Sequence, residues 1–280
     1  MKSINPIVIT ALLSAPLGHA AVTAYDPFLI GATPASGQYT VGNLQPQGPT
    51  VTGFTGTWIN DTGPDVSATG LSYTNPSGSL VTSGGSISTG DGGRVGRVLS
   101  APVTDSSNTT LYMSVLLQLA SVSNNYKSFE LHNLGFNDGS NRTLQLGQAS
   151  DFINGTTNYG IRLFSNDLIR LDLGAANTTV NLFVIKFVLS TANNGDSITV
   201  FRNPAMGGAE PGTNSGVLSG FNMTFDRTSL ARFQGVNAES IAADEIRFGD
   251  SFADVTPIPE PSSALLLVTA VLGLAIRRRR

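Results

Sequence analysis

The chain has 280 residues, of which 16 are Lys or Arg, 19 are Asp or Glu and none is Cys. The absence of cysteine excludes disulfide bonds, thiol nucleophiles and thiolate metal sites. Without the terminal segments, which hold five basic residues and one acidic residue, residues 21–256 keep 11 basic and 18 acidic side chains. A body with this acidic balance argues against nucleic acid or an anionic membrane surface as a partner.

The N-terminal residues 1–20 have the pattern of a secretory signal peptide. Lys2 supplies a positively charged start, residues 4–17 are mostly apolar, and Gly18 and Ala20 are small residues at the positions that a signal peptidase reads. We expect cleavage after Ala20 and export of the protein. The alternative is that this stretch forms a buried N-terminal strand or helix.

The body, residues 21–256, has the patterning of one all-β domain. Residues 111–119 alternate apolar and other side chains with a period of two, which predicts a strand with one buried face. Short runs separated by Asn- and Gly-rich turns predict an antiparallel β-sandwich or barrel. Residues 180–189 are nearly continuously apolar, so we expect them in the middle of a sheet, with Lys186 at its solvent face. The other predicted strands are residues 129–134, 143–146, 159–163, 168–173, 197–201, 230–233 and 245–248.

Three residues in the first hundred are candidates for ligand binding. Trp58, the only tryptophan, could offer its ring to a sugar, although a tryptophan near the start of a sandwich is more commonly part of the core. The glycine-rich residues 83–97 lack the Gly-Lys-Ser/Thr ending of a phosphate loop, so we expect loops around a strand. Arg94 and Arg97 are expected either to pair with carboxylates of the body or to contact a ligand.

The acidic residues do not have the spacing of a glycoside hydrolase site, in which closely placed carboxylates flank the bond that is cut. Asp244 and Glu245 are adjacent, so we expect their side chains on opposite faces at the start of a strand, in a structural role. His132, the only histidine of the body, is expected to share a face with Glu130 at the surface of a strand. Because no Gly-x-Ser-x-Gly elbow occurs either, we expect a protein that is not an enzyme.

Calcium is the one cofactor that the composition leaves open, because it needs only oxygen ligands. The candidate ligands are Asp61 with Asp65 and Asp250 with Asp254. Neither pair matches an EF-hand loop, and the alternative is that all four are turn-forming aspartates. A zinc site is not expected from a body with one histidine and no cysteine.

Residues 257–280 form a distinct C-terminal segment. The prolines of residues 257–261 predict a stiff, extended junction. The apolar run 264–276 has 13 residues and would span roughly 20 Å as a helix, which is short against a bilayer core of about 30 Å. The cations that follow are expected to hold the far end of this run in the cytoplasm. They are Arg277, Arg278, Arg279 and Arg280.

The tripeptide Pro259-Glu260-Pro261, the apolar run and the arginine cluster together resemble the PEP-CTERM sorting tail of bacterial proteins processed by an exosortase. The resemblance implies that the tail inserts transiently in the inner membrane and that an exosortase cuts near the tripeptide. The body would then be released or attached to the cell envelope or the exopolysaccharide matrix. The alternative is a simple tail anchor.

Two late segments of the body are similar to strands of concanavalin A-like and laminin G-like jelly rolls. Asp196–Pro204 is similar to an Asp-x-Val-x-Leu-Tyr-x-Asn strand, with Phe201 where tyrosine is usual, and Ala243–Gly249 is similar to a terminal Asp-Glu-Ile-Arg-Ile strand. The resemblance implies one jelly-roll sandwich over residues 21–256 whose first and last strands pair. It leaves three functions open: an envelope or matrix component without a ligand, a module that binds extracellular polysaccharide with or without calcium, and, less favoured, a polysaccharide hydrolase.

Overall fold

The computed structural model describes residues 22–31, 37–60, 63–90, 93–106, 108–136, 141–148, 157–164, 169–233 and 239–258. The named strands of this part pair antiparallel in two large sheets and one small hairpin, so the predicted all-β class is confirmed. The signal-peptide cleavage site at Ala20, the tripeptide Pro259-Glu260-Pro261, the apolar run and Arg277–Arg280 lie outside the described residues and stay predictions.

The larger sheet has nine described strands, numbered in chain order. It consists of β1 (Val22–Asp26), β2 (Gly42–Asn43), β4 (Asp65–Ser67), β7 (Ser86–Ser88), β9 (Thr109–Leu119), β14 (Asn181–Leu189), β15 (Asp196–Arg202), β16 (Gly216–Phe221) and β18 (Ile241–Gly249). The order across the sheet is β16-β15-β14-β9-β18-β7-β4-β2, and β1 also pairs with β18. The predicted pairing of the first and last strands is therefore confirmed for the described strands, with Ala24 opposite Phe248.

The smaller sheet has seven described strands in the order β13-β12-β11-β10-β17-β8-β3. They are β3 (Phe54–Ile59), β8 (Gly93–Val103), β10 (Tyr126–His132), β11 (Arg142–Gln148), β12 (Asn158–Leu163), β13 (Ile169–Ala175) and β17 (Phe225–Phe233). A separate hairpin pairs β5 (Thr74–Asn75) with β6 (Gly78–Ser79), and one helical turn, α1 (Phe252–Val255), follows β18.

The two sheets pack face to face around one apolar core. Met113 and Val115 of β9 belong to the same buried cluster as Phe129 and Leu131 of β10. This is the inward face that the period of two along residues 111–119 predicts. The predicted β-sandwich is therefore confirmed.

The outer face of the larger sheet carries a second buried apolar group, called here the outer cluster. It explains why residues 180–189 are apolar almost without interruption, since β14 is covered on both faces and lies in the interior of the sheet, as predicted. Lys186 is partly buried on this outer face, where its ammonium lies 2.8 Å from Glu210 Oε2. The members of the outer cluster are Leu71, Tyr73, Leu80, Tyr112, Leu116, Leu182, Val184, Phe201, Met206, Phe252 and Val255.

Candidate functional site

The outer face of the smaller sheet is polar, and its centre is Glu130 in β10. Because Phe129 and Leu131 point into the core, their neighbours Ser128, Glu130 and His132 lie on the opposite face. His132 Nε2 lies 2.8 Å from Glu130 Oε2, so the prediction that these two residues share a face is confirmed.

The prediction that His132 lies at the surface is wrong, because the side chain is fully buried. The Phe136 ring covers it, with the two ring centroids 5.5 Å apart. Phe136 also lies against Gly96 of β8, where an added Cβ would come within 2.0 Å of the ring. Glycine at position 96 therefore allows the Phe136 ring to lie directly on β8 and to cover His132.

Glu130 is fully buried and organises this face. Its Oε2 accepts hydrogen bonds from Arg94 Nε at 2.7 Å and from Ser229 Oγ at 3.2 Å. Since a carboxylate offers about four lone-pair positions, its acceptor capacity is filled. We call this arrangement the Glu130 network; the side chains that hydrogen-bond to the carboxylate are Arg94, Tyr126, Ser128, His132, Gln145 and Ser229.

The Glu130 network keeps its carboxylate ionised. Burial raises the pKa of Glu130, but the hydrogen bond from His132 and the positive charges of Arg94 and Arg142 outweigh burial and hold the pKa well below its ordinary value. A carboxylate in this state has no proton to donate and no lone pair to spare. It therefore suits the positioning of neighbouring arginines rather than general acid catalysis.

A cleft of about 220 Å³ opens at the end of the sandwich where β11 begins and β12 ends, beside residues 221–224. We call it the Phe164 cleft. Its described lining offers amides, a hydroxyl, a guanidinium and an aromatic ring, and it contains no carboxylate. These groups can donate to and accept from hydroxyls and can pack on the apolar face of a sugar ring. The polar and aromatic lining residues are Asn133, Asn141, Arg142, Thr143, Phe164 and Asn222.

Arg142 joins the Phe164 cleft to the Glu130 network. Its guanidinium carbon lies 4.2 Å from the centroid of the Phe164 ring, and that of Arg162 lies 4.5 Å from the same centroid. On its other side Arg142 Nη1 hydrogen-bonds to Tyr126 Oη and lies 3.5 Å from Glu130 Oε1. The ring and the guanidinium at the cleft are therefore held in place by a buried network before any ligand arrives.

Backbone contacts fix the wall of the cleft at Asn133 and Asn141. The N–H of Asn133 donates to the carbonyl of Asn141 at 2.7 Å, and Asn141 Nδ2 donates back to the carbonyl of Asn133 at 2.9 Å. Asn222 is held by Asn193, whose Oδ1 accepts from Asn222 Nδ2 at 2.9 Å. The side-chain amide of Asn133 makes no hydrogen bond to another described residue, so it is available to a ligand.

Trp58 lies in the core and not at the ligand-facing surface. It is fully buried, packs against Phe28 with the ring centroids 6.0 Å apart, and donates from Nε1 to Tyr39 Oη at 2.9 Å. Trp58 is therefore a core residue, as the more common of the two interpretations predicted. The interpretation as an open platform for a sugar is wrong. The reason is that residues 28 and 39, from segments before β3, close over the ring.

Arg94 and Arg97 both pair with buried carboxylates, the first of the two alternatives predicted for them. Arg94 belongs to the Glu130 network, and Arg97 Nη1 lies 3.2 Å from Asp26 Oδ2. Arg97 faces the opposite side of β8 from Arg94 and is buried beside Tyr39. The structure therefore places Arg94 in the Glu130 network and leaves Arg97 in the core.

The candidate calcium ligands do not come together in the described part of the chain, where no three His, Asp or Glu side chains form a group that could hold a metal ion. Asp65 and Asp250 are exposed. Asp254 caps α1, since its Oδ2 accepts from the backbone N–H and the hydroxyl of Ser251. Asp61 lies outside the described residues.

Asp244 and Glu245 differ from the prediction in two ways. They lie inside β18 rather than at its start, and both carboxylates turn to the same side, because the strand bulges between Asp244 and Arg247 and Glu245 has φ 54°. Asp244 Oδ2 accepts from the N–H of Leu71 at 2.8 Å, and Glu245 Oε1 accepts from the N–H of Ser83 at 2.6 Å. Both are fully buried beneath the segment that supplies these donors, so a substrate has no access to them.

The cleft residues were not among the sequence candidates, although a signal for one of them exists. Phe164 directly follows the predicted strand 159–163 and stands two residues after Arg162, on the face opposite to Ile161 and Leu163, which marks an outward-facing ring beside a cation. Asn133, Asn141 and Asn222 come from distant segments that only the folded topology brings together.

No family model and no curated protein matches the chain. Solved structures that resemble it include the receptor-binding domain of botulinum neurotoxin D, with 7% identity, 69% of this chain and 45% of that chain covered, and a TM-score of 0.40. The binding domain of Paraclostridial Mosquitocidal Protein 1 has 9% identity, 71% and 45% coverage, and a TM-score of 0.41. The chain thus spans less than half the length of these structures, and a likeness of this level carries no argument about function. Among the described residues, no helix has both the length and the apolar character to cross a bilayer.

Proposed function

We propose that this chain is an exported, non-enzymatic protein of the cell envelope or exopolysaccharide matrix whose jelly-roll body binds a saccharide in the Phe164 cleft. The observation that carries the proposal is the cleft itself, where amides and a guanidinium surround a half-buried aromatic ring. Protein sites for small polar ligands combine a few fixed polar groups with an apolar surface in this way.

Binding is favoured over hydrolysis by the state of the carboxylates. A glycoside hydrolase needs two carboxyl groups about 5 to 10 Å apart across the scissile bond, one of which donates a proton. Glu130 is ionised with its lone pairs occupied, and Asp244 and Glu245 are buried under residues 71–83. The described lining of the cleft supplies no carboxylate at all.

A glycan array probed with the full chain tests the binding proposal, and titration calorimetry with the best glycan measures its affinity. We expect Phe164→Ala to weaken binding at least about tenfold, which corresponds to about 1.4 kcal/mol. Phe233→Ala is the matched control, because Phe233 is an aromatic residue on the same sheet that also stacks with an arginine, Arg94, but does not line the cleft.

The outcomes of the array and of the variant titrations separate the candidate functions. Equal losses in the Phe164 and Phe233 variants would contradict the assignment of the cleft. A signal that a chelator removes would assign a calcium-assisted lectin, whereas a chelator-resistant signal fits the described lining of the Phe164 cleft, which contains no carboxylate. An array without any signal would favour the second candidate, an envelope or matrix component without a ligand, which the sorting tail in the sequence also supports.

We propose in addition that an exosortase sorts the protein through residues 257–280. The support is the tripeptide Pro259-Glu260-Pro261, followed by a short apolar run and four arginines. Replacing the tripeptide with three alanines is expected to leave an uncleaved precursor in the membrane fraction, measured by intact-mass spectrometry of the protein from its native host. Pro257→Ala, outside the tripeptide, is the matched control. Unchanged processing of the triple-alanine variant would contradict the sorting role.

A further inference from the structure

The last residues that the structure describes, 256–258, are bonded to the body through their backbone. The N–H of Gly207 donates to the carbonyl oxygen of Thr256 at 3.0 Å. The N–H of Val81 donates to the carbonyl oxygen of Pro257, the next residue, at 2.9 Å. Two distant parts of the chain therefore hold consecutive carbonyl groups of the segment that directly precedes the tripeptide of the proposed sorting tail.

The side chain of Ile258 packs against two glycines. A Cβ built at Gly207 would lie 2.4 Å from Ile258 Cγ1, and one built at Gly78 would lie 3.5 Å from Ile258 Cγ2. Because position 207 has no side chain, Ile258 can lie directly on the backbone there while it packs against the outer cluster. We call Gly78, Val81 and Gly207 the tail clamp.

The tail clamp is itself tied to the sandwich. Arg247 of β18 is buried and donates from Nη2 to the carbonyl oxygen of Val81. Asn75 donates from Nδ2 to the carbonyl oxygen of Pro204 at 2.7 Å, which joins the β5–β6 hairpin to the segment that leads to Gly207. Since these contacts connect segments that are far apart in the chain, the clamp forms only when the body has folded.

Cleavage of a folded chain depends on how firmly its backbone is held. Exposed backbone without hydrogen bonds is cut most readily, whereas buried and bonded backbone is cut only from a locally opened state. Thr256 is fully buried, and its hydroxyl donates to the carbonyl oxygen of Phe252 at 2.8 Å. Phe252 and Val255 before it belong to the outer cluster. The backbone from Phe252 to Ile258 is therefore closed to a peptidase while the clamp is shut.

We propose that the tail clamp sets the limit of processing, so that the cut falls on the C-terminal side of Ile258 and the mature body keeps residues 256–258 in the clamp. When the cut is a hydrolysis, water adds to the carbonyl carbon of one peptide bond after Ile258. The C–N bond breaks, and the departing segment takes the proton on its new amino terminus. The inference rests on the proposed sorting through residues 257–280. It adds the position of the cut and its dependence on a folded body.

The first test digests the purified full chain with proteinase K and reads the C-terminus of the resistant body by mass spectrometry. We expect a body that ends at Ile258 or later. Gly207→Ala places a Cβ against Ile258, and Ile258→Ser removes the packed apolar side chain. Each variant should speed cleavage within residues 252–258 at least about tenfold, because burial of a few methyl and methylene groups no longer opposes opening.

Gly220→Ala is the matched control for Gly207→Ala. Gly220 has a similar left-handed backbone, with φ 87° against 71° at Gly207, so an added Cβ brings similar backbone strain. No atom of the described residues lies within 4 Å of a Cβ at this position, so the control leaves the clamp intact. Hydrogen exchange of the Val81 and Gly207 amides should be fast only in the clamp variants, and all variants should keep a single thermal unfolding transition.

The second test reads the mature C-terminus of the protein from its native host. The wild type and Gly220→Ala should give one C-terminus, at Ile258 or later, whereas Gly207→Ala and Ile258→Ser should give an additional, shorter form. The shorter form is expected because other peptidases of the envelope reach the opened segment.

The outcomes separate this inference from the sorting proposal. A wild-type C-terminus before Ile258 would overturn the clamp as the limit of processing, while sorting through the tripeptide would stand. Equal digestion of both clamp variants and of Gly220→Ala would also overturn it. If the triple-alanine variant of the tripeptide is processed normally, the sorting proposal fails, and the proteinase K digestion still decides whether the clamp closes the segment to peptidases.

Discussion

The backbone N–H of Val81 donates a hydrogen bond of 2.9 Å to the carbonyl oxygen of Pro257, which ties the beginning of the C-terminal segment to the body. A second bond runs from the N–H of Gly207 to the carbonyl of Thr256 at 3.0 Å. Ile258 then packs so closely over Gly207 that a Cβ there would lie 2.4 Å from its side chain. The body therefore includes at least residues 257 and 258, which the sequence assigned to the C-terminal segment.

Phe252→Ala tests whether the segment after β18 is part of the fold. The Phe252 ring is buried in the outer cluster, with edge-on contacts to Tyr112 and Phe201 at centroid distances of 6.3 and 5.5 Å. Its removal should lower the free energy of unfolding by about 3–5 kcal/mol, as for other buried aromatic residues. The measurement is the midpoint of urea unfolding. Phe233→Ala, at a partly exposed ring, should cost much less, and equal costs would show that α1 does not stabilise the body.

Glu130→Gln should be among the most destabilising single substitutions in the chain. It removes the negative charge that lies between Arg94 and Arg142 and that accepts from His132, so the buried guanidinium groups lose the carboxylate that they share. Breaking a buried pair in this way costs about 3–5 kcal/mol.

Glu210→Gln is the matched control for Glu130. It breaks a single pair to Lys186 whose two side chains are partly exposed, so we expect a loss of about 0–1 kcal/mol. Guanidinium chloride masks ion pairs, so urea is the denaturant of choice for both variants. Similar losses in the two variants would mean that the Glu130 network does not hold the outer face together.

The raised pKa of Asp244 predicts that the free energy of unfolding falls as the pH rises. Burial, together with the charge of Glu245, raises the pKa of Asp244 to about 9 from an ordinary value of 3.8. Between these two values the folded protein keeps a proton that the unfolded chain has lost, so the free energy of unfolding decreases by up to about 1.4 kcal/mol per pH unit. Glu130 does not offset this trend, because its lowered pKa confines its own contribution to more acidic solution.

The Asp244→Asn variant isolates this contribution. Asparagine keeps the shape of the side chain and one carbonyl acceptor, but it cannot titrate, so the slope of unfolding free energy against pH between 5 and about 8.5 should become shallower. Part of the slope should remain, since burial also raises the pKa of Glu245 and of Asp26. A variant with the wild-type slope would show that Asp244 is ionised in the folded protein.

Much of the sandwich could be predicted from the sequence, because a strand with one buried face leaves a period of two. Residues 111–119 lie in β9 and residues 181–189 form β14, as predicted, but β9 is buried on both faces rather than one, because Tyr112 and Leu116 belong to the outer cluster. β16 was not predicted, since Gly216–Phe221 lies at the sheet edge and most of its side chains are exposed or partly exposed. The short strands β2, β4 and β7 were missed because two or three residues leave no period.

The polar interior could not be predicted, because it depends on contacts between distant segments. His132 is buried only because Phe136 folds back over it, and Asp244 and Glu245 share one side only because β18 bulges. The Phe164 cleft joins residues from four parts of the chain, and no local pattern encodes their meeting.

Trp58 provides a final test that links the core to the site, since it is the only tryptophan and it is fully buried. Its emission should be that of an apolar environment and should shift to longer wavelength on unfolding. A saccharide bound at the Phe164 cleft should leave the Trp58 emission unchanged, because Trp58 does not line the cleft. Acrylamide should quench this emission far less than it quenches free N-acetyltryptophanamide, which serves as the fully exposed control. Trp58→Ala should cost about 3–5 kcal/mol through loss of packing and of the hydrogen bond to Tyr39. A saccharide-induced shift in emission that persists in Phe164→Ala would instead place the sugar against Trp58, and the candidate site would move from the end of β12 to β3.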